Sequence, residues 1–157
     1  MRKTRLLFVL ISISAIVSIL VIGAGVVYNN SASMAYGFYK FSEVEIYTPN
    51  RDDIVLIKTH FIDDRLLKRV VGIAGDRVKV TNKNVYINNH IMQNSTIHKY
   101  DSNGKFLQPY YMDRVLKIDE IFVMGDDDKS YDSRYFGVIN INNINIKKVV
   151  KLYTWGD

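Results

Sequence analysis

An uncharged run of 22 residues, Leu6 to Val27, constrains this chain more than any other feature of its sequence. A helix of about 20 apolar residues is long enough to cross the hydrocarbon core of a bilayer. The apolar region of a typical signal peptide is shorter, at about 7–15 residues. We therefore expect one transmembrane anchor over residues 6–27. A cleaved signal peptide is the alternative, and the small residues at 23–25 favour it.

The charges around this run predict how the chain sits in the membrane. Of the 21 Lys and Arg residues, Arg2, Lys3 and Arg5 lie in the first five positions, which leaves 18 against 16 Asp and Glu. The positive-inside rule places residues 1–5 in the cytoplasm and residues 28–157 outside. We therefore expect a single-pass protein of the inner (cytoplasmic) membrane, with the lipid bilayer as a partner and its main domain on the periplasmic side. The near-neutral body argues against nucleic-acid binding.

Residues 28–157 predict a mainly β domain. Short runs rich in Val, Ile and Tyr are separated by Asn, Asp and Gly, and no long helical period follows the anchor. Strands are expected over 54–58, 65–72, 78–80, 85–87, 120–124 and 149–153, with turns at 81–84 and 88–89. The polar segment 99–112 is interpreted as a surface insertion. The expected architecture is a set of coiled antiparallel β-sheets.

Lys68 is a candidate base for a serine nucleophile. A serine hydroxyl needs a base, and the three histidines, His60, His90 and His98, show no partnering pattern. On a strand, Lys68 shares one face with Leu66 and Val70. Burial on that apolar face would favour the neutral amine, which can accept a proton. An exposed strand lysine is the alternative, and periodicity alone favours it.

Three short segments carry a family resemblance. They are Ser31-Ala32-Ser33-Met34, then Leu67 to Gly72 followed by Gly75-Asp76, then Val123 to Asp126 followed by Ser130 to Gly137. In this order, behind an N-terminal anchor, they resemble the conserved boxes of signal peptidase I. The short first box followed by Gly37-Phe38-Tyr39 is most similar to the conjugative-transfer peptidase TraF branch of that family. The chain contains no cysteine, which excludes a cysteine nucleophile.

The resemblance implies a role for each matching residue. Ser33 would be the nucleophile and Lys68 the general base. The Ser33 backbone N–H and the Ser31 hydroxyl would form the oxyanion hole. Supporting residues would orient the base and hold its loop: Ser130, Asp132, Arg134 and Arg69. Apolar residues would line shallow pockets for small substrate side chains: Met34, Leu66 and Leu67.

The resemblance also implies a fold and an activity. The domain would have the signal peptidase/LexA-like fold, and the enzyme would be a serine endopeptidase that removes N-terminal leader peptides from exported precursors. The TraF branch implies a pilin precursor in conjugation. Because the leader of the substrate lies in the same membrane, tethering would raise the effective concentration of the scissile bond.

Two alternatives to this activity follow from other features. A LexA-like self-cleaving protein would share the fold and the serine–lysine pair, but the apolar run and the missing DNA-binding domain disfavour it. A non-catalytic membrane-anchored assembly factor is favoured by Ala35 and Ala74, which stand where the family usually has proline. The missing proline beside the serine also predicts a less rigid turn.

A calcium loop is a weaker interpretation of the last box. Oxygen-bearing residues occupy positions 1, 3, 5 and 7 of such a loop: Asp126, Asp128, Ser130 and Asp132. Position 6 is Tyr131 rather than glycine, and position 12 is Gly137 rather than glutamate. The sequence therefore predicts no metal and no cofactor.

Overall fold

The computed structural model describes residues 7, 10–12, 14, 25–41, 47–58, 65–101, 104–143 and 145–155. Within the domain that begins at Gly25, these residues form eleven strands and one single-turn helix, α1 (Ser133–Phe136). The strands are β1 (Val26–Asn29), β2 (Tyr36–Phe41), β3 (Ile54–Lys58), β4 (Arg65–Gly72), β5 (Arg77–Val80), β6 (Val85–Ile87), β7 (His90–Ile91), β8 (Met112–Val115), β9 (Glu120–Met124), β10 (Ile139–Asn140) and β11 (Asn145–Trp155). A 3-10 turn covers Ile141–Asn143.

The strands form two sheets. The larger has seven strands in the order β1-β2-β11-β3-β4-β9-β10, and the smaller has four in the order β7-β6-β5-β8. Neighbouring strands in both sheets are antiparallel. These sheets confirm the prediction of a mainly antiparallel β domain.

The central strands are apolar because both of their faces are covered. Every residue of β9 is buried, as are the first four of β3. Ile54 and Leu56 pack on one face of the large sheet, whereas Val55 and Ile57 pack on the other. Burial on both faces produces a continuous apolar run rather than a period of two. The predicted bounds of β3, β4, β6 and β9 are those observed.

Other strands differ from the sequence prediction. β11 extends the predicted strand 149–153 at both ends, because it pairs with β3 through its first half and with β2 through its second. The sequence prediction contains no counterpart of five strands: β1, β2, β7, β8 and β10. The last two residues of the predicted anchor, Val26 and Val27, belong to β1 and pair with Lys40 and Tyr39 of β2.

Most of the predicted anchor, residues 6–27, lies outside the described residues. Leu7, Ser14 and the short stretch 10–12 are helical and exposed. In the described parts of the chain, no helix has the length and apolarity needed to cross a bilayer. The segment 99–112, expected as a surface insertion, is largely exposed where it is described, although Leu107 and Pro109 are buried.

Candidate active site

Ser31 and Ser33 lie in the turn that joins β1 to β2. Their hydroxyl oxygens are 2.9 Å apart and share a hydrogen bond. The Ser31 hydroxyl also donates to Oδ1 of Asn29 at 2.9 Å. From the opposite side, the Asp126 amide donates to the Ser33 carbonyl at 2.7 Å. Hydrogen bonds therefore hold the turn from both flanks.

Lys68 is a buried lysine in the middle of β4, and only 3% of its surface is exposed. Its Nζ donates to the Ser130 hydroxyl at 2.8 Å. Burial penalises the charged amine and lowers the pKa of Lys68 to about 8; the Asp132 carboxylate opposes this shift and the Arg134 guanidinium adds to it. The alternative of an exposed strand lysine is therefore wrong.

Gly125 lets the loop of Ser130 approach the turn of Ser33 closely. A side chain there would place its Cβ 2.2 Å from the Ser130 hydroxyl oxygen and 2.8 Å from the Ser33 carbonyl oxygen. Both distances are far below van der Waals contact, so only glycine fits without movement of its neighbours. The glycine follows β9 directly and opens the loop that ends at Ser130.

Asp132 and Arg134 form an ion pair whose side chains are both 0% exposed. Nε and Nη2 of Arg134 each donate to the carboxylate at 2.8 Å. The same carboxylate accepts the amide of Gly125 at 2.9 Å. The guanidinium also donates to five backbone carbonyls: Asn94, Thr96, Asp127, Asp128 and Ser130. The pair thus fixes the loop that carries Ser130.

Arg69, expected as a supporting residue, makes an ion pair with Asp126. Its Nε and Nη2 donate to the two carboxylate oxygens of Asp126, each at 2.8 Å. Asp126 is the residue whose amide donates to the Ser33 carbonyl. Arg69 therefore holds Asp126, which in turn holds one side of the turn at residues 30–35, called the serine turn below.

The candidate residues meet in a cleft of about 800 Å³. Its lining includes most of the predicted site: Ser31, Ser33, Leu66, Leu67, Lys68 and Ser130. The prediction that Met34 lines this cleft is wrong. Met34 is 1% exposed and packs in the core with Tyr39 and Leu67.

This arrangement can support nucleophilic catalysis. A serine hydroxyl becomes a useful nucleophile when a nearby base accepts its proton. A lysine with a pKa of about 8 is neutral in roughly one molecule in ten at pH 7. The cleft thus combines a hydroxyl, a partly neutral amine and an open space for a substrate.

The chain matches the family described as signal peptidase, peptidase S26, over residues 1–153. It belongs to that family. The resemblance read from the three sequence boxes is confirmed, and it includes similarity to TraF proteins.

Two curated relatives of this signal peptidase family member illustrate the range of similarity. Plasmid transfer protein TraF of Escherichia coli is 35% identical over 92 residues, which cover 57% of this chain and 51% of that protein. The probable signal peptidase I-2 of Synechocystis is 32% identical over 100 residues, covering 58% of this chain and 42% of that protein. The chain therefore matches about half the length of these relatives.

A solved structure, that of a signal peptidase I from Enterococcus faecalis V583, overlaps with 68% of this chain and 100% of its own, at 23% identity and a TM-score of 0.44.

Asn29 is a residue of the site that the sequence analysis missed, because it lies outside the three family boxes. Its Nδ2 donates to three carbonyls of the serine turn, and one of these is Ala35, where proline was expected. The Tyr39 hydroxyl donates to the same Ala35 carbonyl at 2.7 Å. Side-chain hydrogen bonds thus hold the turn at the position where the family usually has a proline ring. Asn29 could have been suspected only as a polar residue at the end of an apolar strand.

Proposed function

We propose that this protein is a membrane-anchored serine endopeptidase that removes N-terminal leader peptides from exported precursors. Ser33 is the nucleophile and Lys68 the general base. The observation that carries the proposal is the buried Lys68 amine, with its pKa lowered to about 8, in the same cleft as Ser33.

The proposed reaction forms and breaks an ester on Ser33. The Ser33 oxygen attacks the scissile carbonyl carbon while its proton passes to Lys68. The Ser33 N–H and the Ser31 hydroxyl donate to the developing oxyanion; each such donor typically contributes about 10²–10³ in rate. Lys68 then returns the proton to the leaving amine as the C–N bond breaks. In deacylation, Lys68 takes a proton from the attacking water and Ser33 recovers its own.

Ser130 supports this role of Lys68 because its hydroxyl accepts a hydrogen bond from Nζ at 2.8 Å. The bond directs one N–H of the amine and limits its rotation. The Asp132–Arg134 pair holds the loop of Ser130 and so positions Lys68 only indirectly.

The edge of β4 supports binding of an extended peptide. In the described part of the chain, β9 pairs with β4 only from Arg69 to Gly72. The preceding half of β4 lines the cleft. A peptide can add to such an edge as a strand, with backbone hydrogen bonds for affinity and alternate side chains in pockets. Leu66 and Leu67 would form the apolar walls of those pockets.

The similarity to a plasmid transfer protein favours a substrate that acts in conjugation. We include a pilin precursor as the specific substrate in this proposal. A general preprotein is the alternative substrate within the same reaction.

The decisive experiment is cleavage of leader-bearing precursors by the full-length protein in liposomes. A pilin precursor and a general preprotein are tested in parallel. Ser33→Ala and Lys68→Ala are measured beside wild type, with circular dichroism to establish that each is folded. We expect the wild type to cut after a small residue and both variants to be inert. Efficient cleavage by either folded variant would refute the serine–lysine assignment.

The activity should rise with pH through the titration of Lys68. Because only the neutral amine accepts a proton, kcat/KM should increase about tenfold per pH unit below pH 8 and level off above it. The measurement is kcat/KM from pH 6 to pH 10 with one precursor. A midpoint well below 8 would contradict Lys68 as the base.

A side chain at position 125 should disable the site. Gly125→Ala forces Ser130 or the Ser33 carbonyl to move, so we expect kcat/KM to fall at least about 100-fold, as is typical when catalytic groups are misplaced by about 1 Å. Gly75→Ala is the control. Gly75 has a φ of +87° but open space around it, so its substitution should cost about 1 kcal/mol of stability and spare activity. Equal activity in the two variants would contradict the proposed geometry.

A membrane anchor ahead of β1 remains part of this proposal, with residues 1–5 in the cytoplasm and the β domain outside. Val26 and Val27 of the predicted span 6–27 belong to β1 instead. Exposed aromatic rings cluster on β1, β2 and β11 beside the end of that segment: Tyr28, Phe38, Tyr153 and Trp155. Aromatic residues of this kind are enriched at membrane–water interfaces. Their position therefore supports a domain that sits against the bilayer.

Membrane retention should depend on the apolar run. The full-length protein is expected to stay in the membrane pellet after alkaline extraction and to keep its N-terminus by intact mass. Ile13→Arg combined with Val17→Arg should release it, because each arginine costs about 3 kcal/mol near the centre of a spanning helix. Ser12→Ala is the control. A mature mass that begins near Gly25 would instead show a cleaved signal peptide.

A further inference from the structure

Asn29 is a buried amide at the end of β1, and it contacts the serine turn at several points. Its Nδ2 lies 3.0 Å from each of three carbonyl oxygens, those of Ser31, Met34 and Ala35. Carbonyl oxygens only accept hydrogen bonds, so the atom that faces them must be the nitrogen. This chemistry fixes the orientation of the amide and places Oδ1 on the side of Ser31.

The orientation of Asn29 determines where the protons of the two serines lie. Oδ1 of Asn29 is 2.9 Å from the Ser31 hydroxyl and can only accept. A hydroxyl has one proton, and Ser31 gives it to Asn29. In the 2.9 Å contact between the two hydroxyls, Ser33 must therefore be the donor. The order is Ser33 to Ser31 to Asn29.

This order has a direct consequence for the reaction proposed above. In the resting site the Ser33 proton points towards Ser31 rather than towards Lys68. For catalysis, Ser33 must turn its proton to Lys68, and Ser31 must move its own from Asn29 to the oxyanion. The Ser31 amide remains within reach of Oδ1, at 3.3 Å, while the hydroxyl turns.

We propose that Asn29 is a positioning residue of the active site, which orders the serine turn through Nδ2 and holds the Ser31 hydroxyl beside Ser33 through Oδ1 until it turns to the oxyanion. The inference rests on the proposed function, since it assigns Ser31 a part in that reaction. Asn29 acts through Ser31 and the turn. It lines the same cleft.

A hydrogen bond on the other side of the serine turn should confine the effect of losing Asn29 to the turn itself. The Asp126 amide holds the Ser33 carbonyl from the opposite flank at 2.7 Å. Without Asn29, the turn would be held at that flank and at Ala35, where the Tyr39 hydroxyl donates. The core residues beneath the turn would keep their packing, so the change should loosen residues 30–35 without unfolding the domain.

The first measurement is hydrogen–deuterium exchange of the full-length protein in detergent, which needs no substrate. Asn29→Ala should exchange several-fold faster over residues 30–36 and at the Asp126 amide, with the remaining sheet unchanged. The neighbouring exposed Asn30 provides the matched control, Asn30→Ala, which should behave as wild type. Asn29→Asp should not rescue the turn, because a carboxylate cannot donate to the three carbonyls. Unchanged exchange in Asn29→Ala would overturn the inference whatever the kinetics.

The second measurement is cleavage of a leader-bearing precursor. Asn29→Ala should lower kcat about 10–100-fold with little change in KM, since it removes the support of an oxyanion donor rather than substrate contacts. In a Ser31→Ala background the same substitution should cost at least threefold less. Equal losses in both backgrounds, or wild-type kcat despite faster exchange, would overturn the inference. An inert wild type would refute the proposed function, and the exchange result would then still decide whether Asn29 orders the turn.

Discussion

Replacing Lys68 with methionine is expected to abolish cleavage and, at pH 7, to make the folded protein more stable. Methionine keeps the length and apolar stem of the side chain but cannot accept a proton. Loss of a general base lowers kcat by about 10²–10⁴. Under the proposed mechanism Ser33 and Lys68 act as one unit, so the upper end of that range is expected.

The gain in stability follows from the pKa of Lys68. A fall from 10.5 in the unfolded chain to about 8 in the fold corresponds to a cost of about 3 kcal/mol for keeping the charged amine buried. Methionine removes that cost, although Ser130 loses a hydrogen bond worth about 1 kcal/mol. We expect a net gain of about 2 kcal/mol at pH 7.

The stability difference between Lys68→Met and the wild type should change with pH in a direction that can be checked. Below pH 8, Lys68 is charged in both states and the full cost is present. Between pH 8 and pH 10.5, the unfolded chain still binds the proton and the folded one does not, so wild-type stability rises. The advantage of the methionine variant should therefore vanish over that interval. Urea unfolding from pH 7 to pH 10.5 measures it, with Lys83→Met as an exposed control. A variant that is less stable than wild type at pH 7 would contradict the buried charge.

The same lysine shows how far sequence reasoning reaches. The bounds of β4 could be predicted because Leu66, Leu67, Val70 and Val71 form an apolar run that ends at a glycine. The burial of Lys68 could not, since an alternating strand accommodates an exposed lysine equally well. What decides the matter is contact with residues distant in sequence: Val55 of β3 pairs with Lys68, and Ser130, in the loop after β9, accepts a hydrogen bond from the lysine amine.

β2 was missed for a related reason. Its residues alternate between exposed and buried, but Gly37 and Lys40 weaken the strand pattern, and its neighbours Met34 and Ala35 looked like part of a motif. Pairing with β1 and β11 supplies the stability that the local sequence lacks. The candidate site residues were named from family boxes. Asn29 lies outside those boxes, and the contact of the Asp126 amide with Ser33 depends on the turn geometry.

Arg134→Met is expected to produce the largest loss of stability of any single substitution considered for this protein. The guanidinium is completely buried and shares two hydrogen bonds with Asp132. Removing it leaves a buried carboxylate without its counter-charge, which typically costs about 3–5 kcal/mol. Five backbone carbonyls lose a donor as well. For a chain of this size, the melting temperature should fall by about 10 °C or more.

Arg69→Met is the matched control for this substitution. It removes an arginine that also makes a bidentate contact, with Asp126, but both side chains are partly exposed, at 28% and 38%. Exposed ion pairs contribute about 0–1 kcal/mol, so this variant should lose little stability. Adding Asp132→Asn to Arg134→Met removes the uncompensated charge and should recover part of the loss. Urea unfolding of the three variants decides the matter. If Arg134→Met lost no more stability than Arg69→Met, the buried pair would not be what holds the loop of Ser130 against Lys68.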